Sequence, residues 1–121
     1  ASPDSMRASL ATFAATDVAG RRIAVLGDMG ELGSFAPACH EGVGAAAASP
    51  HLDKLICIGA LARHIAAGAE AAGMDAARIS RADTVADVLE ELDALLEPGD
   101  AVLVKASHFM GLTRIVEGLV N

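Results

Sequence analysis

Short apolar runs alternate with longer alanine-rich stretches along the whole chain. Four runs predict β-strands, at residues 23–26, 55–58, 78–80 and 101–104, and the third is the weakest. The other three show no alternation with polar residues, which is typical of strands covered on both faces. The hydrophobic pattern therefore predicts a sheet buried between two layers.

The stretches between these runs have helical periodicity. Residues 5–16 place Met6, Leu10 and Phe13 on one face, with Asp4 or Ser5 as the expected N-cap. Further helices are predicted over residues 37–48, 61–72, 85–96 and 109–119. Each predicted strand is thus followed by a helix.

This alternation fixes the expected architecture. Strands joined by crossover helices lie parallel, and right-handed crossovers place helices on both faces. The sequence predicts an α/β fold, a single domain over residues 1–121 with a doubly wound, mainly parallel sheet flanked by helices. The expected strand order is 3-2-1-4, which places the strands beginning at Ile23 and near Val102 side by side. Ligands of such sheets bind beyond the carboxyl ends of the strands where the chain order reverses, here at residues 27–33 and 105–111.

Charge and composition narrow the classes of partner. The 121 residues carry a net charge of −7, with a pI near 4.8. An acidic chain lacks the clustered Lys and Arg of a nucleic-acid surface, and an anionic membrane surface is disfavoured for the same reason. No apolar run reaches the ~18 residues of a membrane span. Cys39 and Cys57 are too few for a disulfide framework, which suits a reducing cytoplasm.

The first segment at the predicted switch point is rich in glycine and acidic residues. The spacing of Gly27, Gly30 and Gly33 differs from the dinucleotide fingerprint G-x-G-x-x-G, and Asp28 and Glu31 would repel a pyrophosphate. Such carboxylates favour a cation, for example an ammonium group, a Lys from another domain or Mg²⁺. The alternative is a glycine-rich turn with a solvated acidic rim.

The second segment at the switch point is basic. Lys105, Ser107 and His108 end a strand and open a predicted helix, whose N-terminus attracts anions such as a carboxylate. The alternative is that Ser107 only caps the helix and Lys105 extends into solvent. Taken together, an acidic and a basic segment one strand apart match a small zwitterion such as an amino acid or a dipeptide.

Other chemistry is weakly indicated. Cys39, His40 and Glu41 are adjacent on a predicted helix and point in different directions, so a shared metal is not expected. His51 and His64 have no motif around them and are expected on the surface. The Walker A sequence G-x-x-x-x-G-K-[ST] is absent from the chain, so no P-loop for ATP is expected in these residues.

Four stretches together resemble the C-terminal domain of the Mur ligases. They are residues 1–10, residues 22–33 with Gly27-Asp28-Met29-Gly30-Glu31-Leu32-Gly33, residues 38–44, and residues 102–108 with Val104-Lys105-Ala106-Ser107. The resemblance covers essentially the whole chain. Within the family, these motifs look most like those of ligases that join D-alanyl-D-alanine to UDP-N-acetylmuramoyl-tripeptide.

The resemblance implies a cytoplasmic step of bacterial peptidoglycan synthesis. Such a ligase uses ATP and Mg²⁺ to activate the tripeptide carboxylate as an acyl phosphate, which the dipeptide amine attacks. Family members have three domains, so the UDP-substrate domain and the central ATPase would lie outside this chain. The chain by itself is expected to be inactive, to contain no catalytic residue and no metal ligand, and to belong to a monomeric enzyme.

The resemblance also suggests site residues. Asp28, Lys105, Ser107 and His108 are expected to bind the acceptor substrate, with Asp28 towards its amine. Ser2 replaces an Asn of the family's opening motif and is the candidate for a nucleotide contact. The family's usual Lys-Gly-Ser-Arg reads Lys-Ala-Ser-His here, and His108 grips a carboxylate less firmly than Arg because it has no bidentate fork.

Two other classes are compatible with the pattern. A free-standing doubly wound binding module would keep this fold without ligase activity, since fold does not fix function. A response-regulator-like signalling domain would use residues such as Asp28 and Lys105, but no Asp ends the second or third predicted strand. A G-K-[ST] loop upstream in the gene would favour the ligase.

Overall fold

The computed structural model describes residues 2–106 of the chain. Four helices alternate with four strands, and two short 3-10 helices lie at Gly33–Phe35 and Ala76–Arg78. The helices are α1 (Pro3–Ala15), α2 (Ala36–Ala47), α3 (Ala62–Ala71) and α4 (Val85–Leu95). The strands are β1 (Arg22–Gly27), β2 (Lys54–Ile58), β3 (Ile79–Ala82) and β4 (Ala101–Lys105). The helix predicted over residues 109–119 lies outside the described residues.

The sheet confirms the predicted topology. Its four strands are all parallel and follow the order β3-β2-β1-β4. Ile23 of β1 is in register with Lys54 of β2 on one side and with Val102 of β4 on the other. The chain order therefore reverses between β1 and β4, where the sequence predicts it.

Helices cover both faces of the sheet, which makes the fold doubly wound. Ala24 and Leu26 of β1 pack into one apolar cluster with residues of α1, α2 and α3. Ile23 and Val25 point the opposite way, into a second cluster with residues of α4. Because successive side chains of a strand alternate between faces, one unbroken apolar run supplies both cores.

The first helix begins earlier than predicted. The expectation of Asp4 or Ser5 as N-cap is wrong, because Ser2 holds that position and its Oγ accepts the Ser5 backbone N–H at 3.1 Å. Pro3 then occupies the first helical position, where its fixed φ fits and its missing N–H costs nothing. Ser2 therefore has a structural role at the start of α1.

Helices α2 and α3 are in close contact through two glycines. A β-carbon at Gly44 of α2 would overlap the backbone carbonyl of Ile65 in α3. A β-carbon at Gly68 of α3 would likewise overlap the carbonyl of Glu41 in α2. The absence of side chains lets the two backbones touch, so α2 is held at a fixed distance from α3.

Among residues 2–106, no helix has the length and apolar character that crossing a bilayer requires.

Candidate functional site

The carboxyl ends of β1 and β4 lie side by side. Leu26 of β1 is paired with Lys105 of β4. A β-carbon at Gly27 would come within 2.8 Å of the Ala106 Cβ, so this close approach requires a glycine. The glycine-rich segment and Lys105 therefore meet at one end of the sheet, which we call the carboxyl end.

Asp28 directs its carboxylate towards helix α3. Its Oδ1 accepts the backbone N–H of Ala62 at 2.7 Å, at the start of that helix. The carboxylate also fills the space beside Gly59, where a β-carbon would overlap it. A helix N-terminus stabilises a negative charge, which accounts for this placement. The carboxylate thus lies on the β2 side of β1, whereas Lys105 lies on the other side, and a ligand shared by the two remains a prediction.

Residues 28–35, which we call the acidic loop, have an unusual backbone. Glu31 is exposed and has φ of 61°, and no other non-glycine residue among 2–106 has a positive φ. Gly33 follows with φ of 56°. Left-handed conformations in residues other than glycine cluster at functional sites, where the surrounding structure maintains them. Phe35 at the end of the loop is 72% exposed.

The basic segment is described only at its beginning. Lys105 is the last residue of β4, and both it and Ala106 are half-buried. Ser107 and His108 lie outside the described residues, so their roles remain predictions. Ser2, the candidate for a nucleotide contact, is exposed at the N-terminus of α1.

His40 is a residue of this region that sequence reasoning missed. It lies in α2 with 0% exposure, and its Nε2 accepts the backbone N–H of Met29 at 2.9 Å. Its Nδ1 lies 2.6 Å from the carbonyl oxygen of Ala36. The sequence signals only a Cys-His-Glu triplet, which gives no hint that the imidazole reaches back to the acidic loop.

The two cysteines and the two other histidines of the described residues differ in how far they are buried. Cys57 is buried, and burial raises the pKa of its thiol to about 12, so the thiol is unreactive at neutral pH. Cys39 is half-buried against the first core cluster. His51 is exposed and His64 is half-buried. Within residues 2–106, no group of three or more His, Cys, Asp or Glu side chains is placed to hold a metal ion.

A parallel sheet with helices on both faces and a glycine-rich loop at the switch point defines the class of Rossmann-like domains. Within that class, residues 1–108 match the family model described as Mur ligase, glutamate ligase domain. The chain belongs to this family.

Known relatives and solved structures agree with that assignment. The chain is 33% identical, over all of its 121 residues, to the UDP-N-acetylmuramoyl-tripeptide–D-alanyl-D-alanine ligase of Bacillus subtilis, and it covers 26% of that protein. A crystal structure of MurF from Acinetobacter baumannii matches 98% of the chain with a TM-score of 0.81 and 26% identity, over 26% of its own length. The MurF ligase of Thermotoga maritima, crystallised with ADP, matches 99% of the chain and 26% of its own length with a TM-score of 0.72 and 24% identity, which shows the fold.

The chain spans about a quarter of the length of the relatives it matches. These matches do not favour the alternative of a free-standing binding module.

Proposed function

We propose that this chain is the C-terminal domain of a ligase that joins D-alanyl-D-alanine to UDP-N-acetylmuramoyl-tripeptide in peptidoglycan synthesis. Support comes from the names of the relatives and from the match over the whole chain. The observation that carries the proposal is that Lys105 ends the strand paired with the end of β1, just before the acidic loop begins. In this proposal the chain supplies part of the acceptor site.

The acceptor dipeptide has opposite charges at its two ends. Its carboxylate would lie at Lys105, Ser107 and His108, where an ammonium and a hydroxyl group complement a permanent negative charge. Its amine would lie towards Asp28, whose Oδ1 accepts a hydrogen bond from the Ala62 backbone N–H. The amine must be unprotonated to attack an activated carboxyl group, and a carboxylate can accept or orient its proton. The charges alone would orient the zwitterion.

ATP and Mg²⁺ require residues that the described part of the chain does not contain. The segment between β1 and α2 carries Asp28 and Glu31 in place of a P-loop, and residues 2–106 offer no group of three metal-ligating side chains. We assign ATP and Mg²⁺ binding mainly to the central domain of a three-domain enzyme. Ser2 would add one contact to the nucleotide, since its hydroxyl can still donate a hydrogen bond while it caps α1.

The same proposal includes four further properties. Residues 1–121 form one domain, and the whole enzyme is monomeric and acts in the cytoplasm. The 121-residue chain alone catalyses neither ATP hydrolysis nor amide formation. The last of these rests on phosphoryl transfer, which needs the phosphates and Mg²⁺ to be held in place.

The test compares variants of Lys105 and Ser107 with a control variant in the full-length ligase. Lys105→Ala, and Ser107→Ala beside it, should raise KM for D-alanyl-D-alanine and leave KM for ATP nearly unchanged. Loss of one charge-assisted contact corresponds to roughly ten- to a hundredfold in kcat/KM. Lys54→Ala is the matched control, because Lys54 lies at the other end of the sheet and pairs with Glu91 at 3.3 Å. Its dipeptide KM should not change.

The outcome that contradicts the proposal is equally specific. If Lys105→Ala and Ser107→Ala change only the ATP kinetics, the carboxyl end serves the nucleotide. In that case the assignment of the dipeptide to these residues is wrong.

A further inference from the structure

We infer that His40 is a positioning residue that fixes the acidic loop through a single tautomer of its imidazole ring. The inference rests on the proposed function only for its kinetic consequence. Its starting point is a fully buried imidazole whose two nitrogens both contact backbone groups.

The two contacts determine where the proton of the ring lies. A backbone N–H can only donate, so Nε2, which faces the Met29 N–H at 2.9 Å, must carry no proton. A backbone carbonyl can only accept, so Nδ1, at 2.6 Å from the Ala36 oxygen, must carry one. The ring is therefore neutral and protonated at Nδ1. In the opposite tautomer, a donor would face a donor at Met29 and an acceptor would face an acceptor at Ala36.

The bond to Met29 lies at the point where the acidic loop leaves the core. The Met29 side chain is 1% exposed, whereas the next residue, Gly30, is exposed and has open space around its α-carbon. Asp28 on the other side of Met29 is bonded to the N-terminus of α3. The loop is thus anchored at Asp28 and Met29, and Glu31 lies between Met29 and Leu32, which packs against the first core cluster.

His40 itself sits on a rigid support. It lies between the start of α2 and Gly44, where α2 touches the backbone of α3. Asp28 attaches the loop to α3, and His40 attaches it to α2. These hydrogen bonds attach the loop to both helices, and the two helices also contact each other. A change at His40 is therefore expected to move the loop without unfolding the helix pair.

Two substitutions separate the functions of the two ring nitrogens. His40→Gln keeps an acceptor at the chain length of Nε2 and can still bind the Met29 N–H. His40→Asn keeps a donor at the chain length of Nδ1 and cannot reach Met29. Val43→Ala is the control for a general loss of packing, because Val43 is fully buried in the same helix.

The kinetic measurement uses the full-length ligase with D-alanyl-D-alanine and ATP. His40→Asn should raise KM for the dipeptide roughly five- to tenfold, the effect of losing one hydrogen bond, with KM for ATP unchanged. His40→Gln should stay within about twofold of the wild type. The inference is overturned if the two variants behave alike, or if Val43→Ala raises the dipeptide KM as much as His40→Asn.

A second measurement needs neither a variant nor activity. Nitrogen NMR of the protein labelled with ¹⁵N-histidine should show Nδ1 protonated and Nε2 unprotonated at His40, with slow exchange of the Met29 amide proton. The opposite tautomer would refute the inference directly. If Lys105→Ala leaves the dipeptide KM unchanged while the NMR result holds, the proposed function fails and the role of His40 in holding the loop stands.

Discussion

The two ends of the parallel sheet use their polar residues in different ways. At the amino end, where the strands begin, Asp100 accepts the backbone N–H groups of Arg21 at 2.8 Å and Glu97 at 3.0 Å. The Arg21 Nη2 lies 2.7 Å from the second oxygen of Asp100 and also donates to the Leu95 carbonyl at 2.6 Å. These bonds tie the start of β1 to the turn before β4, so charge at this end is used for internal structure.

The carboxyl end leaves its polar groups more accessible. Asp28 is anchored by its bond to Ala62, but Glu31 and Phe35 are exposed on a loop with left-handed backbone. Scaffold loops at the carboxyl ends of parallel strands are the usual place for ligand binding. Asp100 at the amino end is thus committed to internal hydrogen bonds, whereas Glu31 at the carboxyl end is exposed, and a role for that end in ligand binding belongs to the proposed function.

The largest expected effect is on stability, at the amino end. In the wild type, both carboxylate oxygens of Asp100 accept hydrogen bonds from N–H groups. Asp100→Asn replaces one of these oxygens with an NH₂ group, which faces an N–H donor in either orientation of the amide. The side chain is only 3% exposed, so water cannot compensate. We expect a loss of about 2–3 kcal/mol in the free energy of unfolding, measured by urea denaturation.

Glu97→Gln is the matched control for that variant. Glu97 lies 3.7 Å from the Arg21 guanidinium and is 75% exposed, so its loss should cost less than about 0.5 kcal/mol. The dipeptide KM of the full-length enzyme should not respond to either change. Equal stabilities of Asp100→Asn and the wild type would show that the amino end does not hold the fold as described.

The second prediction concerns how the stabilisation that Asp100 gives the folded protein depends on pH. The hydrogen bond from Arg21 lowers the pKa of Asp100 from its ordinary 3.8 to about 2. A carboxyl group with a depressed folded-state pKa stabilises the protein above its unfolded pKa, and the contribution is lost as the pH falls through the folded pKa. The stability difference between wild type and Asp100→Asn should therefore be constant above about pH 5 and should shrink between pH 3.8 and about 2. Urea midpoints over that range measure it, and a difference that does not shrink would contradict the assignment.

The sequence predicts the secondary structure and the strand order of this molecule better than its tertiary hydrogen bonds. The runs beginning at Ile23 and Ala101 predict adjacent parallel strands, and the sheet confirms that pairing. Burial on both faces is confirmed for β1 but not for β4, whose residues are all half-buried. The helix predicted over residues 85–96 is likewise present as α4, with Thr84 as its N-cap, the Thr84 Oγ1 accepting the Asp87 N–H at 3.1 Å. Both features depend on local patterns.

The contacts that sequence reasoning missed depend on tertiary structure. The partner of Asp28 is 34 residues away, at Ala62, and the partner of His40 is 11 residues away, at Met29. Nothing in the residues next to either side chain indicates which backbone group it binds. The N-cap of α1 was missed for a local reason, because Pro3 fits inside the first turn of a helix as well as before it.

The smallest expected effect is the change in the free energy of unfolding when Phe35 of the acidic loop is replaced. Phe35 is 72% exposed, so Phe35→Ser removes little buried apolar surface and should change the free energy of unfolding by less than about 0.5 kcal/mol. Phe13→Ser is the matched control, since Phe13 is the same residue type packed against the first core cluster and should lose about 2–3 kcal/mol. Urea denaturation of both variants measures the contrast. Because the carboxyl end is expected to serve a ligand, not the core, a loss at Phe35 comparable to that at Phe13 would mean that this loop supports the fold after all.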